Sequence, residues 1–185
     1  MFSNKKISAL AGFATVLLAG QAGAADMGWI DSAAFEFGRG PEVHMARLSV
    51  QKDWDARWFA SNGRHLSGYW DLSAAYWRGD AYRNVPGDHQ NLGVVGITPV
   101  LRYQRDDRLG WYAEAGIGAN LFSELYDNDD NKLSTAFQFG DHLGVGYVTP
   151  GKWDVGLKFQ HYSNASIKRP NSGANFVILS ARYKF

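Results

Sequence analysis

An alternation of apolar and polar residues with a period of two, repeated in eight segments, constrains the fold of this chain more than any other feature. Successive side chains of a β-strand point to opposite faces, so the pattern predicts strands with one apolar and one polar face. In residues 153–160, for example, every odd position is apolar, while Asp154, Lys158 and Gln160 occupy even positions. The eight segments are residues 30–38, 44–54, 65–78, 92–105, 110–123, 134–148, 153–165 and 175–185.

The first residues predict an export signal. Lys5 and Lys6 precede an apolar run, residues 7–20, which is followed by the A-x-A cleavage pattern of residues 22–24. The run is too short to be a membrane-spanning helix. We therefore expect a cleaved signal peptide at residues 1–24 and a single domain at residues 25–185.

Composition distinguishes between two kinds of exported β-protein. A soluble sandwich with one solvated face would also alternate, but the chain has no Cys with which to cross-link a secreted fold. It has 7 Trp, 9 Tyr and 11 Phe, and aromatic residues at both ends of apolar strands are typical of membrane barrels. The predicted fold class is all-β, an eight-stranded antiparallel transmembrane β-barrel. Phe185, with apolar residues at alternating positions before it, resembles the C-terminal signature of outer-membrane barrels, and the resemblance implies the outer membrane of a Gram-negative bacterium.

The charged residues of the segments fall on the polar faces, which would line the lumen of such a barrel. An eight-stranded barrel has an interior that side chains fill, so Arg102, Glu114, Lys158 and Arg182 are predicted to form a structural polar core. The formal net charge is only +1 with the signal included, and this excludes a basic footprint for nucleic acid.

Connection lengths predict the orientation. If both termini are periplasmic, the short turns after the fourth and sixth segments are periplasmic and the longer connections face outside. Residues 55–64 are long for a periplasmic turn, and we expect a helical turn there at the membrane interface. The seventh segment then runs outward, and it carries His161 and Ser163 to the level of the outer leaflet.

His161 and Ser163 fall on the apolar, lipid-facing side of that segment by parity. A serine hydroxyl becomes an effective nucleophile when a neighbouring base takes its proton, and histidine is the usual base near neutral pH. Positions i and i+2 share a face, with Cα atoms about 6–7 Å apart. The spacing permits catalysis, although His-x-Ser alone is a weak signal, because a His and a Ser at the rim of a barrel are usually polar residues that reach lipid headgroups.

The run HYSNASIKRPN at residues 161–171, followed by a glycine and a final apolar strand, resembles the PagL family of lipid A deacylases. The resemblance implies an eight-stranded outer-membrane esterase with a His-Ser-Glu triad on its lipid-facing wall. Its expected reaction is hydrolysis of the 3-O-linked acyl chain of lipid A in lipopolysaccharide, which releases a 3-hydroxy fatty acid. The resemblance implies no cofactor or metal and is compatible with a homodimer.

The resemblance implies a role for each matching residue. His161 would be the general base and Ser163 the nucleophile, while Asn171 would hold the oxyanion together with backbone N–H groups of the loop after Ser163. The acid of the family falls twelve positions after the serine, where this chain has Asn175. No Asp or Glu occurs between Ser163 and the C-terminus.

Three interpretations of the missing acid stay open at the level of sequence. If Trp153 pairs with Phe185, Asn175 lies opposite Ser163, and its amide oxygen would orient the imidazole. Alternatively Asp141, on the apolar face by parity, approaches His161 from the neighbouring strand; a lipid-facing aspartate is costly without a partner. A bulge that turns Asp141 inward is the favoured explanation of that residue. The third interpretation is a weakened or inactive enzyme.

Other candidates have weaker support. Asp127, Asp129 and Asn131 have the first spacing of a calcium loop, but the turn glycine and the final glutamate are missing, so we expect a solvated loop. Lys168 and Arg169 are either ordinary loop charges or partners of lipid phosphates. The alternative function for the whole chain is a non-catalytic barrel whose loops bind lipopolysaccharide or another surface.

Overall fold

The computed structural model describes residues 28–185, and the predicted signal peptide lies outside this range. The described chain forms eleven β-strands. They are β1 Ser32–Gly40, β2 Val43–Asp53, β3 Trp58–Ser61, β4 Arg64–Gly79, β5 Gln90–Arg105, β6 Gly110–Phe122, β7 Asp127–Asn128, β8 Asn131–Lys132, β9 Phe137–Val148, β10 Trp153–Ser163 and β11 Ala174–Lys184. Eight of these (β1, β2, β4, β5, β6, β9, β10 and β11) pair antiparallel in a closed ring, because β1 pairs with β11 and β2 pairs with β4. The prediction of an eight-stranded antiparallel barrel is therefore confirmed.

The helical turn expected within residues 55–64 is wrong, because this stretch forms a β-hairpin. Trp58 of β3 pairs with Leu66 of β4, and the connection is Asn62-Gly63, with φ values of +52° and +71°. Asn-Gly with two positive φ angles is the favoured two-residue hairpin turn. Within residues 28–185, no helix is long and apolar enough to cross a membrane.

The outer wall and the lumen separate as the alternation predicts. Leu101, Val145 and Leu179 lie on the outer wall, whereas Arg102 and Lys158 are buried in the lumen. Eight buried charges form one chain of ion pairs in which the signs alternate. In order they are Asp71, Arg47, Glu36, Lys158, Glu114, Arg102, Asp154 and Arg182.

A cluster of large apolar side chains fills the lumen beyond these charges. Trp77 is its centre, with ring centroids of Phe176 at 4.5 Å, Phe122 at 4.9 Å and Tyr162 at 4.9 Å. Leu133, from the connection between β6 and β9, is 1% exposed and belongs to the same cluster. We call this cluster the aromatic plug, and it closes the barrel interior at one end.

The two ends of the barrel differ in their connections. Ser32 and Lys184 are paired at one end, where short turns at 106–109 and 149–152 also lie. The long connections, residues 80–89, 123–136 and 164–173, lie at the opposite end with the aromatic plug. We call this second end the loop end, and β10 reaches it at Ser163.

Candidate active site

The site begins with three consecutive residues at the loop end of β10. Tyr162 points into the lumen, where it is 2% exposed and packs edge-on against Trp77. His161 and Ser163, on either side of it, therefore project from the outer wall, because side chains alternate along a strand. Burial of Tyr162 in the aromatic plug thus fixes the direction in which the predicted base and nucleophile point.

Asn175, on the neighbouring strand β11, orients the imidazole of His161. The Nδ1 atom of His161 lies 2.7 Å from Oδ1 of Asn175, and His161 is the Cα partner of Asn175 in the pairing of β10 with β11. An amide oxygen can only accept, so Nδ1 carries the proton in this bond. The other ring nitrogen, Nε2, is then the basic atom.

The strand register expected from the sequence was wrong by two residues. Trp153 pairs with Tyr183 and not with Phe185, so Asn175 lies opposite His161 and not opposite Ser163. Alternation defines the faces of a strand but not its register, so a slide of two residues keeps every face. Phe185 lies beyond this ladder, and its N–H donates to the carbonyl of Asp31 at 3.1 Å. The shift strengthens the assignment, because it places the amide oxygen beside the imidazole.

Asp141 also lies on the outer wall, and the bulge that would have turned it inward is not found. The pairing of β9 with β10 runs without a shift, and Asp141 is the Cα partner of His161. His142, the next residue, is the one that is buried. Nδ1 of His161 is bonded to Asn175, so Asp141 flanks the imidazole from the other strand and does not replace Asn175.

The loop after Ser163 begins with a tight turn. The N–H of Ile167 donates to the carbonyl of Asn164 at 3.0 Å, and Ala165 and Ser166 have φ values of +52° and +64°. Two positive φ angles within such a turn are typical of type I′, which residues with a Cβ adopt at an energetic cost. A strained turn therefore directly follows the nucleophile.

Asn171 folds back onto this turn. The backbone N–H of Asn164 donates to Oδ1 of Asn171 at 2.9 Å, which identifies the oxygen of that amide and leaves its Nδ2 as a donor. Neither Nδ2 of Asn171 nor the N–H of Ala165 has a hydrogen-bond partner within residues 28–185. Two donors beside Ser163 are the elements of an oxyanion hole.

Gly173 contributes in a way that sequence reasoning missed. Its φ is +83°, and a Cβ built on it would lie 2.6 Å from Cε1 of His161. The backbone of the loop thus packs directly against the imidazole, which only glycine permits. The available signal was the glycine that follows the Pro-Asn pair, although nothing in the sequence pointed to the ring it contacts.

An apolar groove of about 710 Å³ runs along the outer wall as far as Phe159 and Asp141, which are neighbours of His161 in the sheet. Ala115 and Gly116 are its smallest lining residues, and Asp141 is its one acidic lining residue within the described chain. The larger apolar lining side chains are Trp54, Pro99, Leu101, Ile117, Leu143 and Phe159. Phe159 precedes His161 by two residues on the same face, so the groove opens beside the site.

Of the remaining predicted candidates, the calcium-loop residues lie apart from these groups, whereas the two loop charges lie on the same loop as Asn171. Asp127 forms an ion pair with Lys132, with Oδ2 and Nζ 3.2 Å apart, in the small hairpin of β7 and β8. In the part of the chain that the structure describes, no three acidic or His side chains group as metal ligands would. Lys168 and Arg169 are exposed on the loop that carries Asn171.

The family model and the sequence relatives that match this chain all belong to one family. The family model described as PagL, lipid A 3-O-deacylase, matches residues 44–184. Lipid A deacylase PagL of Bordetella bronchiseptica is 35% identical over 145 residues, which cover 77% of this chain and 78% of the relative. The protein of the same name from Pseudomonas aeruginosa is 35% identical over 128 residues, covering 69% and 70%.

Solved structures agree with the sequence matches. The crystal structure of the outer membrane enzyme PagL superimposes with a TM-score of 0.75 at 28% identity, over 83% of this chain and 99% of that structure. The Yersinia pestis outer membrane protein Ail, at 6% identity and a TM-score of 0.53, covers 85% of this chain and 99% of its own and shares the fold alone. This chain belongs to the PagL family of lipid A 3-O-deacylases.

Proposed function

We propose that this chain is an outer-membrane esterase that hydrolyses the 3-O-linked acyl chain of lipid A by a serine-histidine mechanism. The observation that carries the proposal is the bond of 2.7 Å between Nδ1 of His161 and Oδ1 of Asn175. It frees Nε2 as a base on the face that also presents Ser163. Family membership supplies the substrate, and the site residues supply the mechanism.

The first chemical step is attack on the ester. Nε2 of His161 takes the proton of the Ser163 hydroxyl while Oγ bonds to the carbonyl carbon. The negative charge that develops on the carbonyl oxygen is stabilised by Nδ2 of Asn171 and the N–H of Ala165. When this intermediate collapses, the sugar oxygen leaves with the proton from His161, and the acyl chain remains on Ser163.

The second step releases the product. Water attacks the acyl-enzyme while His161 again takes a proton, and collapse returns that proton to Ser163 and frees a 3-hydroxy fatty acid. Asn175 keeps the imidazole oriented in both steps, although it brings no charge to balance the imidazolium. An ester has a good leaving group, so the neutral amide is compatible with turnover.

The place of the site on the outer wall fits an amphiphilic substrate. A lipid in the outer leaflet approaches from the side, with its headgroup level with the loop end and its chains along the apolar wall. The groove beside His161 has the apolar lining that an acyl chain requires. All the proposed groups come from one chain, so a homodimer is not needed for the reaction.

Mass spectrometry of lipid A from cells that produce the protein tests the proposal. The parent should remove one hydroxyacyl mass, and Ser163→Ala should leave lipid A intact. Ser61→Ala, which alters an exposed serine at the far end of the barrel, is the matched control and should act as the parent does. Equal deacylation by the parent and by Ser163→Ala would refute the serine mechanism. Intact lipid A with a folded parent would favour the non-catalytic barrel.

A further inference from the structure

We propose that Ser134, held in place by Leu133, is a positioning residue that fixes the oxyanion donors for acyl transfer. Ser134 lies in the connection between β6 and β9, far in sequence from the site. We call residues 132–134 the brace and residues 164–173 the oxyanion loop. The inference rests on the proposed serine-histidine mechanism and adds a component to it.

The oxyanion loop needs support from outside itself. Its first turn holds Ala165 and Ser166 in the left-handed region, a conformation that persists only when surrounding contacts enforce it. Most of the loop, including residues 165–170, is exposed. Contacts with a different part of the chain must therefore determine where the N–H of Ala165 and the amide of Asn171 point.

Ser134 supplies the central contact. Its hydroxyl donates to the carbonyl of Lys168 at 2.8 Å, and the same carbonyl accepts from Nδ2 of Asn164 at 2.8 Å. Nδ2 of Asn164 also lies 3.4 Å from Oγ of Ser134. The side chain of Asn164 is fully buried, so these three groups form one small polar junction.

The junction connects Ser134 to the proposed oxyanion donor. Asn164, whose side chain shares the Lys168 carbonyl with Ser134, donates its own N–H to Oδ1 of Asn171 at 2.9 Å. This bond sets the rotation of the Asn171 amide and hence the direction of Nδ2. A shift of the Lys168 carbonyl would move Asn164 and, through it, the donor.

One further contact attaches the brace to the oxyanion loop. The N–H of Ser172 donates to the carbonyl of Lys132 at 3.0 Å, and this bond belongs to an isolated β-bridge between Leu133 and Asn171. The brace itself is anchored, because Leu133 is buried in the aromatic plug and its N–H donates to the carbonyl of Tyr126 at 2.9 Å. The rigid interior of the barrel thus positions an exposed loop.

The structure predicts which kinetic constant changes. Ser134 contacts the backbone of the oxyanion loop and does not line the apolar groove. Ground-state binding of lipid A therefore does not depend on it. An oxyanion donor acts on charge that develops in the transition state. Loss of the hydroxyl should therefore lower kcat and leave KM nearly unchanged.

The test compares purified variants in detergent micelles, with lipid A as substrate and a hexadecyl fluorophosphonate as a probe that modifies Ser163. For Ser134→Ala we expect kcat and the rate of phosphonylation to fall roughly 10- to 100-fold, with KM within about twofold. Ser134→Thr keeps a hydroxyl and should restore both rates to within about threefold of the parent. Ser123→Ala is the control, because it removes another hydroxyl at the loop end, one bonded to the N–H of Gly93.

Each result has a fixed meaning. Parental kcat in Ser134→Ala, or equal loss in Ser134→Thr and Ser134→Ala, would overturn the positioning role. A rise in KM without a fall in kcat would do the same, since it would assign Ser134 to substrate binding. Hydrolysis by Ser163→Ala would instead refute the serine mechanism, whatever Ser134 does. The heat-dependent electrophoretic mobility of each variant confirms that the barrel is folded.

Discussion

The lumen and the loop end of the outer wall both place polar side chains away from bulk water, but they treat them differently. In the lumen, each of the eight buried charges contacts an opposite charge, as Lys158 does with Glu36 at 2.7 Å and Glu114 at 3.3 Å. On the wall, one hydrogen bond joins His161 to Asn175. Within residues 28–185, the hydroxyl of Ser163 and the carboxylate of Asp141 have no hydrogen-bond partner. A network in which every charge is paired stabilises the fold, whereas the groups without a partner, which we call open groups, are available to a substrate.

The lumen and the outer wall also differ in the free-energy cost of keeping polar groups away from water. Pairing compensates the desolvation of the lumen charges, and removal of one partner would leave the other buried and unpaired. A polar group that faces lipid has no such compensation and is retained at the expense of stability. Variants in the two regions should therefore fall into two classes, which lose either activity or stability.

The largest effect is expected for His161→Ala. Removal of the base should lower kcat roughly 10³- to 10⁴-fold, because Ser163 then has no proton acceptor. Barrel stability, measured by urea unfolding in lipid vesicles, should not decrease, because the histidine faces outward. Release of the 3-hydroxy fatty acid, followed by mass spectrometry, measures the rate. A variant that keeps more than a tenth of the parental kcat would contradict the role of general base.

Arg102→Met should show the opposite behaviour. Nη2 of Arg102 lies 2.6 Å from Glu114 and Nη1 lies 2.8 Å from Asp154, so the change leaves two buried carboxylates short of a partner. We expect a loss of about 3–5 kcal/mol in the free energy of unfolding, with kcat per folded molecule unchanged.

Arg105→Met is the matched control for Arg102→Met. Arg105 ends the same strand and pairs with Asp107 at 2.8 Å, but both side chains are exposed, so the cost should stay below about 1 kcal/mol. Equal losses in the two variants would show that the lumen network has no special weight in stability.

Much of this division could be predicted from the sequence. Parity placed Arg102 and Glu114 inside and His161 and Ser163 outside, because the period of a strand is fixed by backbone geometry. The Asn62-Gly63 hairpin also had a sequence signal, which the length of the connection obscured.

The relation between distant segments could not be predicted in the same way. Parity defines faces but not register, and a slide of two residues keeps every face while it moves Asn175 from Ser163 to His161. The prediction that Asp141 points into the lumen was wrong, because it assumed a bulge that would spare the protein the cost of a charge on the lipid face. Contacts such as the one from Ser134 to Lys168 depend on loop conformations that no periodicity describes.

Variants of Asn175 test how far catalysis depends on the hydrogen bond between His161 and Asn175. Asn175→Ala removes the acceptor at Nδ1 of His161, and we expect kcat to fall roughly 10- to 100-fold because the imidazole loses its orientation. Asn175→Glu places a charge where the family has its acid and should raise kcat above that of the parent. If Asn175→Ala is as active as the parent, the bond of 2.7 Å has no part in catalysis.

Substitution of Asp141 should have the smallest effect, and it should lower activity while it raises stability. Its charge flanks the imidazole from β9 as the Cα partner of His161, and it favours the imidazolium that forms as Ser163 attacks. Asp141→Asn should therefore lower kcat about three- to tenfold by loss of that electrostatic support. The same change removes a charge from the lipid-facing wall and should raise the free energy of unfolding by about 1 kcal/mol. Kinetics and urea unfolding on one preparation measure both, with Asp107→Asn in an exposed turn as the control. If Asp141→Asn lowers stability, the carboxylate belongs with the paired charges of the lumen and not with the open groups of the site.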